Sequence, residues 1–189
     1  MQILYVVGGI LALLVLAVVL SYNRFVNQRN LIRNSWSNIE TELSRRYDLI
    51  PNLVETVKGY AAHEKAVLED VTQARANAQA EHGSPGEQAE AEGPLVAALR
   101  HLFAVVENYP DLKASGHFLK LQDELANTED RIQAARRFYN ANVRDYNTRV
   151  QSFPSNVIAG AFGFKTEEYF QIEPALRAGA EQPPSTYFA

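Results

Sequence analysis

Apolar residues are arranged in three different ways along this chain. From Ile3 to Leu20 they are continuous: ILYVVGGILALLVLAVVL is a run of 18 positions without a charge. At a rise of about 1.5 Å per residue, this run makes a helix of roughly 27 Å, close to the hydrocarbon thickness of a bilayer. From Leu31 to Ala78 apolar residues instead recur at intervals of three and four, through Ile32, Trp36, Ile39, Leu43, Ile50, Leu53, Val57, Tyr60, Val67, Val71, Ala74 and Ala78. This is the stripe of an amphipathic helix, not the alternation of a strand. Pro51 lies inside it and takes the backbone donor from the Tyr47 carbonyl. The series Trp36, Leu43, Ile50, Val57 keeps its phase across the proline, which favours a kinked continuous helix. A break starting at Asp48, acting as a cap, is the alternative.

The stripe stops after Ala80. Residues 81–94, EHGSPGEQAEAEGP, are rich in Gly, Pro and acid and predict a mobile loop that reverses the chain. A short helix is expected from Leu95 to about Glu107, ended by Tyr109-Pro110. Phe118, Leu125, Ile132, Tyr139, Tyr146 and Phe153 are then spaced by sevens, with Leu121, Thr128, Ala135 and Asn142 between them. This seam predicts a long helix from near Ser115 to Ser152, before Pro154. The expected fold is all-α: an N-terminal transmembrane helix followed by an elongated antiparallel, up-and-down helical bundle. The expected domains are an anchor over residues 1–21, a bundle over 22–173 and a flexible, Pro- and Ala-rich tail over 174–189.

Composition adds direction and exclusions. Every charged side chain lies at or beyond Arg24, so the mean hydropathy of −0.22 averages over two solvents. No Lys or Arg precedes the apolar run, and Ser21-Tyr22-Asn23 offers no cleavage site of the usual small-residue kind. A cleavable signal peptide therefore fits poorly, and a retained anchor contacting lipid through residues 3–20 is expected. Arg24, Arg29 and Arg33 follow the run, so the positive-inside rule puts the N-terminus outside and the bundle in the cytoplasm, at the cell (inner) membrane. Gly8 and Ala12 form a weak small-xxx-small pair. The chain has no cysteine, which excludes disulfide scaffolds, CxxC modules, thiol nucleophiles and lipid-modified cysteine. A net charge of −4 argues against nucleic acid as a partner.

Catalytic patterns are sparse. His63, His82, His101 and His117 are not spaced as a zinc pair, and no P-loop, G-x-S-x-G elbow or Gly-rich nucleotide segment occurs. His63-Glu64 lacks the surroundings of a phospho-acceptor histidine, so a helix-packing or partly exposed histidine is the simpler reading. No catalytic residue, cofactor or metal is expected. Arg46 falls on the Ile39, Leu53, Tyr60 series and so faces the seam, where a charge must be paired. Arg45, Arg46, Asp48, Pro51 and Glu55, with Glu129, Arg131 and Arg136 from the other long helix, are therefore a candidate polar network fixing the register. The competing reading is a docking site centred on the Pro51 kink. In residues 153–170, Phe162, Phe164, Tyr169 and Phe170 are expected to cover the bundle end; contact with the membrane or with an oligomer partner is the alternative.

The block from Arg45 to Glu64, RRYDLIPNLVETVKGYAAHE, resembles the signature of the bacterial LemA family. The resemblance continues through Tyr22-Asn23, Trp36, Tyr109-Pro110-Asp111-Leu112-Lys113-Ala114, Phe118-Leu119, Leu121-Gln122, Thr128-Glu129, Arg131-Ile132, Ala135-Arg136-Arg137, Tyr139-Asn140, Tyr146-Asn147 and Phe153-Pro154, while Ser115-Gly116-His117 departs from it. It implies a single-pass membrane protein, N-terminus out, with a cytosolic up-and-down bundle and no established enzymatic activity. The expected function is a non-catalytic, membrane-anchored scaffold or adaptor, a homo-oligomer that positions protein partners of unknown identity. An accessory or regulatory subunit of a membrane enzyme or quality-control complex is the alternative, and direct catalysis ranks last.

Overall fold

The structure, a computed structural model, describes residues 1–171 and forms six helices, with no strand among the described residues: α1 Gln2–Lys58, α2 Lys65–Ala80, α3 Pro85–Val106, α4 Pro110–Lys113, α5 Gly116–Gln151 and α6 Ser155–Phe162. The all-α class and the bounds of the long helix before Pro154 agree with the pattern of the sequence. The tail expected over residues 174–189 lies outside the described residues.

α1 runs unbroken through Pro51. The proline deprives the Tyr47 carbonyl of its helical donor, and Arg75 of α2 supplies a replacement, its Nε donating to Tyr47 O at 2.6 Å. An orphaned carbonyl is thereby satisfied inside the fold. α1 ends at Lys58 and does not continue to Ala78. Tyr60 N and Ala61 N both turn back onto Val57 O, and the chain reverses over residues 59–64 before α2 begins. The apolar stripe crosses this turn unchanged because Val57 at the end of α1 and Val67, Val71 and Ala78 of α2 are all buried in one core.

The mobile loop expected over residues 81–94 is largely helix, and the helix expected from Leu95 starts ten residues earlier. Ser84 caps α3: its Oγ accepts from Glu87 N, while Glu87 Oε2 accepts from Ser84 N at 2.6 Å. Pro85 occupies the first turn, where its missing donor costs nothing. The carboxylates of Glu87 and Glu81 both crowd Gly83, so a larger residue there would have to displace the end of the capping Glu87 side chain.

Two compact units make up the described chain. In the first, residues 1–43 and 130–169, α1 and α5 run antiparallel. Trp36 meets Tyr139 at 5.5 Å between ring centres, Phe25 meets Tyr146 at 6.1 Å, and Asn142 Nδ2 donates to Ser35 Oγ at 2.7 Å. α6 ends at Gly163, whose φ of 73° is left-handed. Phe164 N then reaches back to Ala159 O at 2.9 Å, and the Phe164 ring stacks on Phe25 at 4.8 Å. Residues 167 and 168 are tied to α5: Asn147 both donates to Glu167 O at 2.9 Å and accepts from Glu167 N at 2.8 Å, and the Tyr139 hydroxyl donates to Glu168 O at 2.8 Å.

The second unit comprises residues 44–129 and Phe170. The end of α1, the start of α5 and helices α2 to α4 enclose a core of Ile50, Leu53, Val71, Leu95, Leu102, Leu112 and Phe118.

Candidate functional site

Arg46 is the largest fully buried side chain among the described residues, 2% exposed. The seam position expected for it is therefore observed, and the buried charge needs partners. Its Nη1 donates to Glu129 Oε2 at 3.0 Å and its Nη2 pairs with Glu92, which is wholly buried. The other oxygen of Glu92 accepts from the Tyr47 hydroxyl and from Gln88 Nε2, the latter at 3.1 Å. Gln88 Nε2 also lies 3.1 Å from Ala78 O, joining α2 to the cluster. One guanidinium and two carboxylates thus join α1, α3 and α5. Burial, followed by the charge of Glu92, pushes the Tyr47 hydroxyl pKa well above its ordinary value. Tyr47 is accordingly a neutral donor at physiological pH. Both Glu92 oxygens are engaged by buried donors, so this carboxylate offers no open base to a substrate.

The structure divides the group of residues expected to form one polar network. Arg46 and Glu129 meet within the second unit. Arg45, Asp48, Pro51 and Glu55 point outward on α1, Glu55 pairing at 3.5 Å with Lys58. Arg131 and Arg136 belong to the first unit, where Arg131 lies 3.9 Å from Glu42 and Arg136 donates to Gln133 at 2.5 Å. Glu92, Tyr47 and Gln88 are the members that sequence reasoning missed. Glu92 falls within the loop expected over residues 81–94, yet Gln88, Glu92, Leu95, Leu99 and Leu102 share the three-and-four spacing of one buried face.

Among the aromatic residues near the C-terminal end, Phe164 and Phe170 are buried within the chain, while Phe162 and Tyr169 are exposed. Phe162 nonetheless packs edge-on against Tyr22 at 5.0 Å. All four histidines lie on the surface. A groove of about 930 Å³ opens between the end of α1 and α2, lined by Val54, Lys58, Lys65, Leu68 and Asp70 among others.

Residues 3–20 bury nothing against the rest of the chain: Ile3 is 80% exposed, Leu11 64% and Leu16 53%. This segment is apolar on all sides, uncovered by the rest of the described chain, and long and apolar enough to cross a membrane. An all-α fold carrying such a helix defines a membrane-associated helical protein. The chain belongs to the LemA family, whose model matches residues 35–188. It is similar to magnetosome protein MamQ 2 of Paramagnetospirillum magneticum, at 31% identity over 82% of this chain and 66% of that protein. Magnetosome protein MamQ of Magnetospirillum gryphiswaldense is 29% identical over the same shares. Protein LemA of Metamycoplasma hominis is 30% identical, covering 84% of this chain and 73% of its own length. The chain therefore spans just under two thirds of the MamQ relatives, 66% of their length.

Proposed function

We propose that this LemA-type protein is a non-catalytic, membrane-anchored helical scaffold that self-assembles and positions partner proteins at the membrane. The observation that supports it is the continuity of α1, in which the uncovered apolar residues 3–20 and the buried positions Phe25, Ile32, Ile39, Ile50 and Val57 belong to one helix. Within the first unit the helix that leaves lipid is also the helix buried at Phe25, Ile32 and Ile39, which is what a tether requires. We take residues 1–21 as the anchor and the described residues from 22 onward as the bundle. By the positive-inside rule, Arg24, Arg29 and Arg33 support an orientation in the cell (inner) membrane with the N-terminus outside and the bundle in the cytoplasm.

Because the chain has no cysteine, single substitutions report topology cleanly. In intact cells an impermeant maleimide should label Gln2→Cys and spare His82→Cys, and the reverse labelling contradicts the orientation. Cross-linking in the same cells should give species at multiples of 21.1 kDa. A ladder absent at all cross-linker doses contradicts self-assembly.

A second reading, an accessory subunit of a membrane enzyme or quality-control complex, is favoured by the charged groove beside Lys58 and Lys65. Reversal of both charges, Lys58→Glu with Lys65→Glu, separates the two. Loss of a stoichiometric hetero-complex with self-association intact supports the accessory role.

A further inference from the structure

Four residues after the apolar run ends at Leu20, α1 presents Arg24, and α5 brings Arg149 against the neighbouring residue, its guanidinium 5.9 Å from the centre of the Phe25 ring. Tyr146, one turn before Arg149 on α5, meets Phe25 edge-on. Two buried donors here have no hydrogen-bond partner among the described residues, Arg149 Nε and the Tyr146 hydroxyl. The acceptor Gln28 Oε1 is also unpartnered and therefore reaches neither of them. Among the described residues, Arg24, Arg29 and Arg149 have no carboxylate within ion-pair distance. Arg29 instead lies 5.6 Å over the Phe164 ring. Burial and then the like charge of Arg24 disfavour the cationic form of Arg149. The nearby acid Glu167 raises the Tyr146 pKa after burial, and Arg29 opposes it. A partly buried guanidinium facing a second cation, with idle donors beside it, lacks an anion.

We propose that Arg149 and Arg24, with the Tyr146 hydroxyl, hold the phosphate of an anionic phospholipid headgroup at the point where α1 leaves the bilayer. The inference rests on residues 3–20 spanning the membrane. The depth is appropriate: four residues beyond Leu20 are about 6 Å along a helix, within the headgroup layer of roughly 5–8 Å on each side of the hydrocarbon. The aromatic surroundings suit the same level, since the partly exposed Tyr22, packed against Phe162, is an amphipathic side chain of the kind enriched at membrane interfaces. The chemistry recognised is a phosphate, which a lipid or free inorganic phosphate could supply; the lipid is the source that the membrane-proximal position selects.

The test uses the full chain in mild detergent, titrated with phosphatidylglycerol or phosphatidylcholine and weighed intact by native mass spectrometry. The wild type should retain phosphatidylglycerol over phosphatidylcholine by about tenfold, and Arg149→Gln should reduce that retention by about tenfold, the worth of a charge-assisted contact. Arg24→Gln, at an exposed position that does not threaten folding, should reduce it in the same direction. Arg33→Gln, also exposed, should leave it within about twofold, since it lies outside the site. Equal retention by wild type, Arg149→Gln and Arg24→Gln overturns the proposal, as does displacement of the lipid by equimolar inorganic phosphate. Liposome reconstitution keeps the two levels apart: a chain that fails to insert contradicts the anchor itself, whereas one that inserts with unselective lipid retention contradicts only the headgroup site.

Discussion

The Glu92 side chain shows what a buried charge demands. It lies fully inside the second unit and is held by Arg46, Tyr47 and Gln88. Removing one member leaves the others buried and unpaired, so Glu92→Ala should lower the denaturant-derived stability by about 3–5 kcal/mol. Replacing the set by apolar residues of similar volume, Arg46→Met with Tyr47→Phe and Glu92→Leu, should cost far less or be neutral. A triple variant less stable than Glu92→Ala would show that the cluster contributes net stability beyond satisfying itself. The tyrosines make a second residue-scale prediction. Tyr47 and Tyr139 are held neutral chiefly by burial, with Glu92 adding to the effect at Tyr47 and Glu167 at Tyr139. Because the folded pKa lies above the unfolded value of 10, the unfolded chain releases protons first as pH rises. Stability is therefore whole below pH 10 and falls above it. An alkaline titration read by tyrosinate absorbance should show these groups ionising together with the loss of helical circular dichroism; ionisation well before unfolding contradicts the account.

The helices show why a proline inside α1 is tolerated. Arg75 Nε occupies the Tyr47 carbonyl that Pro51 leaves free, so Arg75→Leu should destabilise by about 1–3 kcal/mol, the cost of an unsatisfied buried group. In a Pro51→Ala background the restored helical donor should reduce that loss, giving a coupling of about 0.5–3 kcal/mol in a double-mutant cycle. Simple additivity would mean that the two residues do not share the carbonyl. At the other end, Asn147→Ala removes both bonds to Glu167 and should increase hydrogen exchange at the Glu167 amide while leaving mid-α5 amides protected. Much of this architecture was legible from periodicity: the apolar run, the α5 seam from Phe118 to Tyr146 and the inward position of Arg46 follow from spacing alone. The turn at residues 59–64 was not, because Val57 and Val71 keep a helical phase while belonging to two helices in one core. α3 was hidden for the opposite reason. Gly86, Gly93 and Pro94 suggest a loop, but the Ser84 capping box starts a helix whose buried face the tertiary core stabilises. Losing α3 also concealed Glu92, the central partner of Arg46.

For the whole molecule, the LemA family match and the uncovered apolar residues 3–20 agree on membrane association. What they leave to function is two compact helical units with exposed helical surfaces. Truncation before Ser21 should release the chain into the soluble fraction with its helical circular dichroism per residue nearly unchanged, since residues 3–20 bury nothing against it; loss of folding on truncation contradicts that independence. The central claim, a self-assembling membrane scaffold, is tested most directly by the mass of the full-length chain extracted in mild detergent and measured as an intact complex. The expected mass is a defined multiple of 21.1 kDa, with or without bound partners. A single 21.1 kDa subunit at all protein concentrations, with no protein co-purifying, would contradict it.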